Sequence, residues 1–216
     1  MVASKAALIG IDALSYGEFM KCRPKTLLYL LDNSFRGVVE NNPPQNTISS
    51  WLSILSLKKV DSKNLNYDVS ELPLVKLIKP ILINIPITNP TYGVFNINID
   101  QGISYQEEID GVMNEILENL NEGPIIAGIT ALERINDRVC EIYNYIDKML
   151  LSVIRNVEEF IVFSPYGKPK KNFFEPYGVY LSSRPRPNEH DTVKLWEIGQ
   201  TFIEMVKGGN LQEDFW

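Results

Sequence analysis

Histidine is almost missing from this chain, cysteine is scarce and long apolar runs are absent, and each shortage excludes something. One histidine, His190, among 216 residues cannot furnish a typical zinc set. Any Ser-His-Asp or Cys-His device would depend on that residue alone. It lies in Arg184-Pro185-Arg186-Pro187-Asn188-Glu189-His190-Asp191, a polar turn that predicts an exposed side chain ahead of the last helix. Two cysteines, Cys22 and Cys140, cannot supply a disulfide framework for so long a chain. No apolar stretch approaches the roughly 18 residues of a membrane span, and the run Ala6–Ile11 is too short for a signal peptide. Gly-rich phosphate loops, paired CxxC and HExxH are all lacking. The net charge of −6 repels a polyphosphate backbone and argues against nucleic acid as a partner. These absences lead to the expectation of a soluble, cytoplasmic protein with neither nucleic acid nor membrane as partner.

What is present reads as an ordinary globular chain, 44% hydrophobic and 22% charged, with one domain spanning residues 1–216. Short apolar runs alternate with amphipathic segments almost from end to end. Strands are expected at Ala6–Ile11, Phe35–Val39, Pro80–Ile85, Pro124–Thr130, Phe160–Ser164 and Tyr177–Ser182. Helices are expected at Pro24–Leu31, Thr47–Leu57, Tyr105–Leu120, Ile135–Ile154 and Thr192–Lys207, the last stopped by Gly208-Gly209. Lys58–Lys79 has the poorest pattern and reads as loop with at most one short helix. This alternation predicts an α/β fold, a single mainly parallel sheet with helices on both faces. Right-handed crossovers would then bring ligands to the strand C-terminal ends.

Two residues stand out at those ends. Asp12 directly follows the first strand, where a carboxylate serves either as a metal ligand or as a turn aspartate. Thr47 follows Asn41-Asn42-Pro43-Pro44-Gln45-Asn46 at an expected helix start, with its hydroxyl beside free backbone N–H groups. That position suits a helix cap more often than a nucleophile or phosphate ligand.

Read in order, the segments resemble the alkaline phosphatase superfamily, in particular its type I phosphodiesterase and nucleotide pyrophosphatase branch. "LIGIDALSYGEFMK" is similar to the family's first strand and metal-binding aspartate, and "RGVVENNPPQNTISSWLSI" to its nucleophile segment, with Thr47 as nucleophile. "ILINIPITNP" resembles a strand followed by Thr-Tyr-Pro, and "GITALERIND" resembles Thr-x-x-Asp-Arg-x-x-His. "IVFSPYG" stands where the family has Ser-Asp-His-Gly, "FFEPYGVYLSS" where it has a histidine and a strand, and "EIGQTFIEMVKG" resembles the closing helix. The resemblance implies an alkaline-phosphatase-like core without the large cap insertion.

The departures from the family pattern bear on activity. Members typically hold two metals, commonly zinc, with three aspartates and three histidines. Here Asp12 is retained, Glu133 replaces the second aspartate, and Asp137 replaces a histidine. Pro165 and Tyr166 stand at the Asp-His pair, and Phe174, next to Glu175, stands at the last histidine. The resemblance therefore implies an eroded member, non-catalytic and serving as a binding or interaction module for a small phosphate-bearing ligand. The alternative is a weak metal-dependent phosphoric ester hydrolase with Thr47 as nucleophile. Its metal ligands would be Asp12, Glu133 and Asp137, the last two on one helical face if that helix begins early enough. No cofactor is certain. The oxygen donors leave room for one Mg, Mn or Zn ion and suit Mg, Mn or Ca better than Zn. A third reading, a subunit of a larger assembly, draws on Trp196, Phe215 and Trp216. Finally, Lys168, Lys170 and Lys171 follow one strand, and together with Thr47 they are expected to form an anion site.

Overall fold

Six consecutive buried residues, Ala6–Ile11, form β1, and their lack of a polar face dictates a strand covered on both sides. The computed structural model describes residues 5–61, 63 and 67–208. After β1 come α1 (Tyr16–Cys22), α2 (Lys25–Asn33), β2 (Phe35–Glu40) and α3 (Thr47–Leu55). The chain continues through α4 (Pro73–Ile78), β3 (Ile81–Ile83), α5 (Tyr105–Asn119), β4 (Ile125–Ile129), α6 (Ala131–Arg134) and α7 (Val139–Ile154). It closes with β5 (Glu159–Phe163), β6 (Tyr177–Ser182), β7 (Thr192–Val193) and α8 (Leu195–Lys207). The seven strands make one sheet in the order β3-β4-β1-β5-β6-β2-β7. All neighbours pair in parallel except those of β6, which runs antiparallel to both β5 and β2. The expected mainly parallel α/β sheet is therefore what the chain forms.

The alternation of β1 divides the core. Ala7, Ile9 and Ile11 pack with residues of α1, α2, α5 and α7 on one face. Ala6 and Leu8 pack with α3, α4 and α8 on the other. Gly10 falls on this second face, where a Cβ would lie 2.4 Å from the Trp51 ring. Only glycine lets the α3 indole lie against the end of the central strand.

Several boundaries differ from the sequence expectation. The helix expected at Ile135–Ile154 is two helices, because Ile135 turns extended and Arg138 takes φ 55° ahead of α7. The intervening Asn136 and Asp137 are residue types whose side chains compete with helical hydrogen bonding. Thr192–Val193 does not open the last helix but pairs in parallel with β2, and α8 starts at Leu195. A helix not expected from the sequence, α1, follows the first strand, and the described residues of the poorly patterned stretch form a 3-10 turn, Val69–Glu71, and the short helix α4. Among the described residues no helix is long and apolar enough to cross a membrane.

The two cysteines form a disulfide, Cys22–Cys140, tying the end of α1 to the first turn of α7 across a sequence separation of 118. Closing so long a loop removes much entropy from the unfolded chain. Replacing both cysteines by serine is expected to cost about 2–5 kcal/mol of stability, read as a lower urea midpoint at unchanged slope. An unchanged midpoint would show that the bond does not constrain the unfolded chain.

Candidate functional site

Parallel strands end on one edge of the sheet, and that edge gathers residues far apart in sequence. The N–H of Asp12 donates to the Ile129 carbonyl at 2.9 Å, so Asp12 extends the β1 ladder by one residue past the strand. Its side chain is fully buried. The Trp51 indole N–H donates to it, at 3.0 Å to Oδ1 and 3.3 Å to Oδ2. Trp51 reaches this point because it lies one turn into α3, packed against Phe163 with ring centroids 5.3 Å apart and the planes tilted by 58°.

Thr47 is the first residue of α3, and the cap belongs to its neighbour. Asn46 Oδ1 accepts from the Ser49 N–H at 2.9 Å. The Thr47 hydroxyl is thereby free for the site. It lies 3.0 Å from Glu133 Oε1 and 2.7 Å from the Tyr166 hydroxyl, and the Tyr166 hydroxyl lies 3.1 Å from Glu133 Oε2. Tyr166 is fully buried, with Phe174 stacked on its ring at 4.2 Å. Asp12, Thr47, Glu133 and Tyr166 thus come together at one edge.

Electrostatics follow from burial. Desolvation pushes the Asp12 carboxyl well above its ordinary value, the Glu133 charge adds to this, and the Trp51 hydrogen bond opposes it. Burial likewise raises Glu133, against the hydrogen bonds from Thr47 and Tyr166. Burial, then the Asp12 and Glu133 charges, keep the Tyr166 phenol protonated. With Glu133 ionised, two hydroxyl protons must serve three oxygen–oxygen contacts. With Glu133 protonated, each of the three oxygen groups donates once and accepts once, and the ring closes.

The remaining expected site residues lie elsewhere. Asp137 sits in the turn between α6 and α7, its side chain 79% exposed and 3.9 Å from Arg138. The helical face expected to carry both Glu133 and Asp137 does not exist, since the helix breaks between them. Lys168 pairs with Glu18 at 3.0 Å and Lys170 with Glu175 at 3.0 Å. With Lys171 these lysines line a cavity of about 430 Å³ that Thr47 does not line. Thr47 and Glu133 instead line a smaller cavity of about 280 Å³, with Arg134 and Thr130. Arg134 is occupied there by Glu108 at 2.6 Å. His190 is exposed before α8, and Phe215 and Trp216 lie outside the described residues.

No protein-family model matches this sequence, and no characterised protein matches it by sequence alone. Solved structures do match it. A protein from Pyrococcus horikoshii superposes with TM-score 0.64 at 8% identity, over 97% of this chain and 98% of that one. Alkaline phosphatase from the Antarctic bacterium TAB5 gives 0.59 at 8% identity, over 96% and 99%. A murine ectonucleotide pyrophosphatase/phosphodiesterase, in an inactive form in complex with AMP, gives 0.55 at 8% identity, over 94% and 95%. The fold is that of the alkaline phosphatase superfamily. At these identities the likeness is one of fold.

One participant, Trp51, is not singled out by the sequence, and a second, Tyr166, figures there in another role. Trp51, four residues after Thr47, reaches Asp12 from the same helix face, a spacing visible once Thr47 is taken as the helix start. Tyr166 was read only as a lost ligand, yet it is a hydrogen-bonding member of the site.

The raised Asp12 value carries a sign. Between the unfolded value near 3.9 and the higher folded one, the folded chain holds a proton that the unfolded chain has released. Stability contributed by this group therefore falls as pH rises through that window. Asp12→Asn keeps an oxygen for Trp51 and cannot ionise. It should gain on the wild type steadily as urea unfolding is repeated from pH 4 to neutrality. A constant difference across that range would show that Asp12 does not titrate abnormally.

Proposed function

We propose that this chain is a non-catalytic, alkaline-phosphatase-like binding module for a small phosphate-bearing ligand. One observation carries the reading: the Thr47 hydroxyl is engaged by Glu133 and Tyr166, and the Asp12 carboxylate by Trp51. The groups that would bind metal and attack phosphorus hold one another instead. The superfamily's two-cation chemistry needs donors that this edge lacks. Among the described residues no group of three or more Asp, Glu, His and Cys is placed to hold a metal ion. Asp12 accepts from Trp51 through both oxygens, and Asp137 points away. The residues present do not fit a two-metal centre, and no step is assigned to one.

A weak hydrolase is favoured by a separate observation, the 3.0 Å approach of Glu133 to the Thr47 hydroxyl with a carboxyl raised by burial. That is the geometry of a nucleophile beside a base. It lacks an evident group to steady charge on phosphorus, since Arg134 is committed to Glu108. Asp12 and Glu133 are the oxygen donors left for a single Mg, Mn or Zn ion in this second reading.

Location follows from the same reasoning. The expected cytoplasmic setting sits poorly with Cys22–Cys140, since disulfides are rare in reducing compartments and persist in oxidising ones.

The two readings separate in one assay series. Purified protein is analysed for metal, then offered phosphomonoester and phosphodiester chromogens with zinc, manganese and magnesium. The binding-module reading expects no tightly held metal and no turnover above Thr47→Ala. Two equivalents of tightly bound zinc, or turnover abolished by Thr47→Ala, would overturn it.

A further inference from the structure

The larger cavity, about 430 Å³, opens beside the Thr47 edge and has its own chemistry. Ala13, Glu18, Leu132 and Tyr143 are the buried residues that line it. Lys21 on α1 lines it from one element, and Lys168, Lys170 and Lys171 from the segment between β5 and β6. Four lysines meet two glutamates, Glu18 in the lining and Glu175 paired with Lys170 at 3.0 Å, an excess of two positive charges in a protein whose overall charge is −6. Positive charge is therefore concentrated here against the sign of the whole chain.

Three further features give this cavity polarity. Val139, the first residue of the 16-residue helix α7, lines it, and no side chain caps that helix. Free N–H groups and the positive dipole end thus stand at the same wall as the lysines. Glu18 is the exception in sign. Its side chain is only 8% exposed, Oε1 accepts from Lys168 at 3.0 Å, and Oε2 has no hydrogen-bond donor. The nearest charge to Oε2 is Lys21 Nζ at 3.4 Å, on a side chain 70% exposed and so free to swing. Lastly, Lys21 and Val139 are the chain neighbours of Cys22 and Cys140, so the disulfide fixes these two lining positions relative to each other.

A buried carboxylate oxygen whose one partner is the exposed Lys21 ammonium at 3.4 Å, among lysines and beside an uncapped helix start, suits a ligand with two ends. One end is an anion of several oxygens, which ammonium groups and helix N–H groups can share. The other is a hydrogen-bond donor for Glu18 Oε2. We propose that this cavity, rather than the Thr47 edge, binds a small phosphomonoester bearing a hydroxyl group. Its phosphate is held by Lys168, Lys171 and the start of α7, and its hydroxyl donates to Glu18 Oε2. Lys21 then exchanges its loose pairing with Glu18 for the phosphate, so no charge is left uncompensated. The volume suits such a ligand. This inference rests on the binding-module reading and names the place and class of its ligand.

The test uses the full oxidised chain, isotopically labelled, with inorganic phosphate, glycerol and glycerol 3-phosphate as probes. Amide shifts should map to Ala13, Val139 and residues 168–171, and the affinities should fall as salt rises. Glycerol 3-phosphate should bind roughly tenfold more tightly than phosphate, the worth of one charge-assisted hydrogen bond. Lys168→Ala with Lys171→Ala should weaken both. Glu18→Gln should tighten phosphate and shrink the preference for the ester, because it removes a negative charge from the anion's surroundings and weakens the hydroxyl's acceptor. Shifts centred on Thr47, equal affinity for ester and phosphate, or an unchanged preference in Glu18→Gln would each overturn the proposal. No shift at residues 168–171 with millimolar ester would do the same. Phosphate release is followed in the same samples. Release that depends on Thr47 overturns the non-catalytic reading, while the shift map alone decides the cavity.

Discussion

Everything at the functional edge depends on the hydrogen bond from the Trp51 indole to the buried Asp12 carboxylate. A carboxylate buried at the end of a central strand is costly unless something donates to it. Here an aromatic N–H does, and the protein is arranged to let it in. Gly10 on β1 leaves room for the indole, and Gly128 on β4, where a Cβ would lie 3.3 Å from the same ring, leaves more. Phe163 at the end of β5 packs against the indole at a tilt. Placing Trp51 in this way fixes α3, and α3 fixes Thr47.

From there the second cluster follows. Thr47 opens α3 with its hydroxyl unused by the cap, which Asn46 supplies. Glu133 is presented by α6, a single turn following directly on β4. That turn is anchored by a buried pair: Glu108 on α5 accepts from the Thr130 N–H, the Thr130 hydroxyl and Arg134. Past Arg134 the backbone turns extended at Ile135 and left-handed at Arg138 before α7 begins. The same break that delivers Glu133 to Thr47 carries Asp137 away into solvent. One local event thus assembles half of the expected carboxylate set and dismantles the other half.

Much of the fold was legible because it is written in periodicity. The buried strands Ala6–Ile11 and Ile125–Ile129 have no polar face, and α5 carries its apolar stripe behind a Ser104/Glu107 capping box. Asp12 and Thr47 were legible from position, as residues following or preceding regular elements. What stayed hidden depends on contacts between distant segments. The break at Ile135–Arg138 interrupts a sequence that steps by three and four without fault, so only the extended backbone at Ile135 and the αL turn at Arg138 reveal it. The strand Thr192–Val193 is two residues long, too short for any pattern, and exists because β2 offers an edge. The pairing of Cys22 with Cys140 needs α1 to lie on α7, and α1 itself was invisible as a helix.

Charge is divided along the edge in a way that the sequence alone concealed. Thr47, Glu133 and Asp12 form an acidic, largely buried cluster in which two carboxyls are driven toward their neutral forms. Such a cluster offers a phosphate no positive charge, and it repels one wherever a carboxyl ionises. The lysines that were expected to supply compensating charge follow Ser164 in sequence, yet the Tyr166–Phe174 stack lies within the same segment, and they line a different cavity. Tyr166 turns one way, toward Thr47, while Lys168 turns the other, toward Glu18. A dianionic ligand approaching this edge therefore meets two unlike surfaces. One is closed by its own hydrogen bonds and carries buried acid. The other is ringed with ammonium groups, backed by a helix start and pinned by a disulfide at two of its lining positions. Coulomb attraction favours the second, so the carboxylate-lined and the lysine-lined parts of this edge are neighbouring but separate surfaces.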